Sequence, residues 1–116
     1  MASTGLFGPY DLINSQIDAQ VGASIGAYAL GHMNGDNFVV SYVGRSDSDL
    51  NKRLKNWVGD YKAFKYGHFD NVKAAFEKEC SMYHDFGGSA KLDNDVHPAR
   101  PKGTSYACPK GNCADI

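Results

Sequence analysis

Two charged residues, Arg53 and Glu79, stand where the apolar pattern of the chain predicts hydrophobic side chains. In a helix over Asp49 to Trp57 the apolar residues are Leu50, Leu54 and Trp57, and Arg53 falls on or beside their stripe. In a later helix the apolar line is Val72, Ala75, Phe76, Met82, Tyr83 and Phe86, and Glu79 sits in its middle. An ionised group taken out of water costs on the order of several kcal/mol unless it is paired or metal-bound. Two explanations fit. One is a buried Arg53–Glu79 ion pair, or side chains that reach outward from the edge of a stripe. The other is a concave site in which an anion stabiliser faces a cation holder. Tyr28 and Tyr42, each beside glycine and small residues in Gly26-Ala27-Tyr28 and Tyr42-Val43-Gly44, fit packing when taken singly. Together with the arginine and the glutamate they supply most of what phosphodiester hydrolysis requires.

The elements that must position these residues follow from local pattern. Ile25 to Gly31 and Phe38 to Val43 are expected strands, joined by an Asn34-Gly35 turn, since both residues tolerate positive φ. Gly44 is expected to end the second strand, and Ser46 or Asp47 to cap the first helix. Ala63 to Phe69 alternates in part and predicts a third strand. Asp70 is the expected cap of a second helix over Asn71 to about Phe86, closed by Gly87-Gly88. Residues 1–24 are weakly patterned, with a helical turn or two over Asp11 to Val21, and read as an N-terminal extension. The domain then covers residues 25–98, and 99–116 is a tail. The expected class is α+β: a small mixed or antiparallel sheet, made of a hairpin and a third strand, flanked by helices in the order β-β-α-β-α.

The totals limit the partners. The 116 residues suffice for one domain, with 42% hydrophobic and 22% charged residues. No apolar run approaches the roughly 20 residues that span a bilayer. The N-terminal stretch lacks the basic start and apolar core of a secretory signal, so a cytoplasmic location is the expectation. Net charge is −1, but it is unevenly spread. All 12 basic residues lie between Arg45 and Lys110, while residues 1–44 carry three aspartates and no cation. This is either a solvated helical surface or a basic face toward nucleic acid.

The residues so placed resemble the GIY-YIG nuclease superfamily. Gly26-Ala27-Tyr28 stands at its GIY element, with alanine for isoleucine, and Tyr42-Val43-Gly44 at its YIG element. Arg53 in LNKRL matches the family's helical arginine, Glu79 in AFEKEC its glutamate, and Asn94 in KLDNDVHP its later asparagine. The resemblance covers about residues 25 to 98. It implies a metal-dependent endonuclease acting on DNA with Mg²⁺ or Mn²⁺. Glu79 would hold the metal and Arg53 would donate to the scissile phosphate. Tyr28 would activate the attacking water or orient it, with Tyr42 positioning it. Asn94 would fix the substrate phosphate or the end of the Glu79 helix. Arg45, Lys52, Lys55 and Lys65 are candidate contacts to the nucleic-acid backbone, and Arg45 competes with Arg53 for the arginine role. Specificity would come from the terminal segments, dimerisation or a partner protein.

Two alternatives stand beside this expectation: a non-catalytic nucleic-acid-binding module on the same scaffold, and a structural protein with a buried ion pair. The tail adds a separate candidate. His97, Cys108 and Cys113, with His84 as a possible fourth ligand, have loose zinc-site spacing; otherwise they form a solvated tail with free thiols. Three cysteines argue against a disulfide framework, and Cys80 is expected to be a small packing residue.

Overall fold

The computed structural model describes residues 5–88 and 91–94. Its elements run β1 (Phe7–Asp11), α1 (Asn14–Gln20), β2 (Gly26–Asn34), β3 (Asn37–Ser46), α2 (Leu50–Lys55), β4 (Ala63–His68) and α3 (Val72–Asp85). The result is a small α+β domain: one antiparallel four-stranded sheet, in the order β1-β4-β2-β3, with three helices.

β2 and β3 form the hairpin that alternation and β-branched content predict. Its turn differs from the expected one by a residue. Asn34 pairs with Asn37, so Gly35 and Asp36 make the turn, and only Gly35 takes a positive φ, at 64°. β3 also runs past Gly44 to Ser46, because Gly26, Ala27 and Tyr28 on β2 continue to pair with Ser46, Arg45 and Gly44. A glycine without a demand for positive φ does not stop a strand that still has a partner.

β4 lies on the other side of β2, which makes β2 the interior strand beside the hairpin. β1 then pairs with β4, with an irregularity between Phe7 and Tyr10. Residues 7–20 therefore belong to the sheet and its core, which corrects their reading as an extension. The Gly-Pro dipeptide hid the strand from pattern reasoning, yet proline is tolerated at an edge, where β1 lies.

Each face of the sheet has its own core. On one face Tyr28, Leu30 and Phe64 pack with Ile17 of α1 and with Leu50 and Leu54 of α2. On the other, Ala27, Ala29 and Val43 pack with Met82 and Tyr83 of α3. The small alanines of β2 give α3 room to settle on the sheet, and the large residues two positions apart fill the opposite face.

The starts of α2 and α3 are set by side-chain oxygens, one to three residues from where the sequence suggests. Asp49, not Ser46 or Asp47, caps α2 by accepting from Lys52 N at 3.0 Å. Asn71, not Asp70, caps α3 by accepting from Ala74 N at 2.9 Å. Asn51 ties α2 to the end of α1 by donating to Val21 O at 2.9 Å. Gly87, at φ 98°, follows α3 as predicted.

Cys80 is fully buried on α3, as a packing residue would be, but it is disulfide-bonded. This corrects the expectation of unbridged cysteines. Among the described residues no helix is long and apolar enough to cross a membrane.

The hairpin requires glycine at one place. A Cβ on Gly31 would lie 1.8 Å from the backbone oxygen of Val39, where the register shifts between Leu30 and Gly31. Backbone atoms cannot rotate away as a side-chain tip can. Gly31→Ala is expected to destabilise the domain by about 1–3 kcal/mol, measured by urea unfolding. Gly35→Ala, with nothing within 4 Å of its Cβ, should cost less and only through its positive φ.

Candidate active site

The end of β3 carries Arg45 and Ser46, still paired with β2, to the start of α2, while α3 packs on the face of the sheet opposite α2. A cleft forms at this junction. Its lining includes Arg45, Ser46, Asp47, Ser48, Arg53 and Glu79, and an adjoining hollow is lined by Asp49, Lys52, Arg53 and Asn56 as well. The loop is built by Ser46, whose Oγ accepts from Ser48 N at 3.4 Å and Asp49 N at 3.0 Å. That bonding turns the chain sharply from β3 into α2.

Arg53 and Glu79 do share this cleft, although they are not paired with each other. Glu79 is 8% exposed, in line with its place on the apolar face of α3. Its partner is Arg45, whose Nη1 donates to Oε1 at 2.7 Å. The same guanidinium donates through Nε to Asp47 Oδ1 at 2.8 Å and lies over the Phe76 ring, 5.4 Å from its centroid. Arg45 therefore holds two carboxylates and an aromatic face at once.

Arg53, in contrast, is exposed. Leu50 and Leu54 take the buried stripe of α2, and Arg53 projects from beside it. A six-residue helix shows only a narrow face, so one position of rotation decides between core and cleft. Among the described residues Arg53 forms no salt bridge. An uncompensated guanidinium at the rim of a cleft is available to an anion.

Tyr28 is 2% exposed, and its phenol oxygen accepts from Trp57 Nε1 at 2.9 Å. Gly44 makes this possible: a Cβ there would lie 2.4 Å from the Tyr28 hydroxyl. Burial pushes the Tyr28 phenol well above its ordinary value, with the Trp57 hydrogen bond opposing. Burial thus favours the protonated phenol, and Tyr28 itself lines neither cleft. Tyr42 packs on Trp57 with ring centroids 4.6 Å apart.

Asn94 is buried, and both ends of its amide are spent on Val43. Val43 N donates to Oδ1 at 3.0 Å, and Nδ2 donates to Val43 O at 2.8 Å. It completes the open edge of β3 as a further strand would. Its amide thus holds the Tyr42-Val43-Gly44 segment.

The remaining cations divide. Lys52 lines the hollow beside Arg53. Lys55 pairs with Asp18 of α1 at 2.6 Å, and Lys65 lies over Phe38, 5.5 Å from the ring centroid, so neither joins the cleft. His84 sits in the last turn of α3, edge-on to Tyr83. His97, Cys108 and Cys113 lie outside the described residues. Pattern reasoning did not find Asp47 or Trp57 as site residues. Asp47 looks like any capping aspartate, and Trp57 looks like core.

No family model matches the chain, and neither a curated protein nor a solved structure matches it.

Burial pushes the Glu79 carboxyl from about 4.5 up to about 7, with Arg45 opposing the shift. The folded chain therefore binds this proton more tightly than the unfolded chain does. Its contribution to stability is full below about pH 4.5 and is lost as pH rises through about 7. Urea unfolding of the wild type between pH 5 and 8 should show a fall in stability on the order of 2 kcal/mol beyond that of Glu79→Gln. Parallel pH profiles for the two proteins would contradict the shift.

Proposed function

We propose that the chain is a metal-dependent endonuclease of the GIY-YIG type, hydrolysing DNA phosphodiester bonds. The observation that carries this reading is one cleft lined both by an exposed, unpaired guanidinium, Arg53, and by a buried carboxylate, Glu79, from different helices. A purely structural pair would have joined these two groups. The order of elements also supports it: a hairpin bearing Tyr28 and Tyr42, then the arginine helix, a third strand beside β2, and the glutamate helix.

The donor set fits a small, hard cation. Glu79 supplies one carboxylate, and Asp47 a second on the same guanidinium. Among the described residues no group of three or more histidine, cysteine or acidic side chains could hold a metal. Mg²⁺ or Mn²⁺ keeps several waters and can be held by one or two carboxylates together with substrate oxygens. When bound, such an ion polarises a phosphoryl oxygen and lowers the pKa of a bound water.

The chain's own residues do the rest. Arg53 donates to two oxygens of the scissile phosphate, where negative charge grows. Arg45 keeps Glu79 oriented and shares charge with the incoming phosphate. Tyr28, locked by Trp57, orients the attacking water, with Tyr42 beside it. Asn94 fixes the strand that carries Tyr42, and Lys52 meets a neighbouring phosphate. Sequence preference would be supplied by a second copy of the chain or by a partner protein.

A second reading has one observation in its favour. Arg45 already neutralises Glu79, as it would in a non-catalytic nucleic-acid-binding module.

Nicking of supercoiled plasmid in Mg²⁺ or Mn²⁺ separates the two. Cleavage is expected from the wild type, with Arg53→Ala and Glu79→Ala each slower by about 100- to 1,000-fold while retaining a native circular dichroism spectrum. DNA binding without nicking under any metal would support the binding module instead.

A further inference from the structure

The start of α2 hangs on a segment outside the cleft. The first N–H groups of a helix have no partner within it. In α2 each is met from elsewhere. Leu50 N donates to Ser24 O at 3.0 Å, Asn51 N donates to Gly22 O at 3.3 Å, and Lys52 N donates to the Asp49 side chain. Asn51 Nδ2 adds a bond to Val21 O at 2.9 Å. A helix of six residues is too short to hold itself together in water. Residues 22–25, which link α1 to β2, therefore help to hold Lys52 and Arg53 at the cleft.

This connector is gripped in turn by His68, at the end of β4. The His68 Nε2 accepts from Gly22 N at 3.0 Å, while Nδ1 lies 2.9 Å from Ser24 Oγ and 3.1 Å from Ile25 O. A backbone N–H can only donate, so Nε2 must be the nitrogen without a proton. The ring proton then sits on Nδ1, facing the carbonyl of Ile25. The arrangement requires a neutral imidazole. A proton on Nε2 would point at the Gly22 N–H, donor against donor, and that bond would be lost. The Nδ1 bond would survive. The ring is exposed, so a proton reaches it without unfolding.

The groups around the ring leave this control to the imidazole itself. Tyr66 of β4 stands edge-on to it at 5.7 Å, and β2 offers Gly26, its register partner. Asp18 of α1 is paired with Lys55, and Asp49 of α2 caps its own helix. Among the described residues no ion pair includes His68.

We infer that His68 is an acid-sensitive latch on α2. Its neutral ring holds Gly22 in place, Gly22 completes the first turn of α2, and protonation at Nε2 loosens the helix that presents Lys52 and Arg53 to the cleft. Histidine is the side chain whose charge ordinarily changes between about pH 5 and 8. Regulation of this kind goes beyond hydrolysis and holds whatever the cleft binds. Because the Nδ1 bond to Ile25 persists, the loosening is confined to the Gly22 side. Asn51, which donates to Gly22 O, feels it more than Leu50, which donates to Ser24 O.

Amide hydrogen exchange of the full-length protein, followed residue by residue by NMR at about pH 7.5 and about pH 5.5, tests this. In the wild type the protection factors of Gly22 and Asn51, corrected for intrinsic exchange, should fall roughly fivefold to tenfold on acidification, with a smaller change at Leu50. In His68→Gln the side-chain carbonyl can accept from Gly22 N and does not titrate, so protection should be retained at both pH values. Glu79 and the other histidines titrate alike in both proteins, so the difference between them isolates His68. Imidazole nitrogen shifts of the wild type at the higher pH should show Nε2 as the nitrogen without a proton. A proton found on Nε2 there, unchanged wild-type protection on acidification, or an equal fall in His68→Gln would each overturn the inference.

Discussion

The ion pair between Arg45 and Glu79 is the contact on which the arrangement of the cleft depends. It joins the end of the hairpin to the middle of α3, two segments that also pack through apolar contacts across one face of the sheet. Both side chains are nearly excluded from solvent, so neither can be removed without stranding the other. A buried pair of this kind is weak evidence for stability, because apolar residues of similar volume often serve as well. Its value lies in geometry. One guanidinium fixes Glu79, draws in Asp47 and rests on Phe76, and so sets the floor of the cleft before any ligand arrives.

Around that floor the backbone is held by groups that would ordinarily be free. β3 is the outer strand of the sheet, and an outer strand leaves donors and acceptors unpaired. Asn94 satisfies both backbone groups of Val43, and Asp93 N donates to Ser41 O at 2.6 Å. Across the strand, the missing side chain of Gly44 gives the Tyr28 ring its place, and Trp57 locks the hydroxyl. These contacts hold the Ser41–Gly44 backbone and the Tyr28 ring. A cleft built from β3, α2 and α3 in this way has little freedom to rearrange.

The electrostatic division of the chain takes on meaning in this setting. The acidic first third supplies Asp18, which occupies Lys55 on the side of α1. Lys65 is spent against Phe38 on the opposite face. What remains outside the ion pairs at the cleft is Arg53 with Lys52, while the lining as a whole balances Arg45, Lys52 and Arg53 against Asp47, Asp49 and Glu79. Local potential, not the total, decides whether a polyanion approaches.

Much of the fold was legible in local pattern. The hairpin, the third strand and both later helices follow from alternation, helical spacing and glycine punctuation, since these depend on neighbours a few residues away. Boundaries slipped by one or two residues because caps at Asp49 and Asn71 compete with equally plausible neighbours, Asp47 and Asp70. β1 was not legible: a glycine and a proline in five residues give no periodicity, and pairing with β4 alone makes it a strand. At the site, the sequence by itself determined that Glu79 would be buried, because a fourteen-residue helix has a well-defined apolar face. Only the tertiary structure decided which arginine meets it. Arg45 and Arg53 are both within reach by sequence, and the choice turns on the sheet carrying β3 to its end beside α3 while the short α2 rotates Arg53 out to the rim. That choice is a matter of long-range packing, which no local spacing encodes.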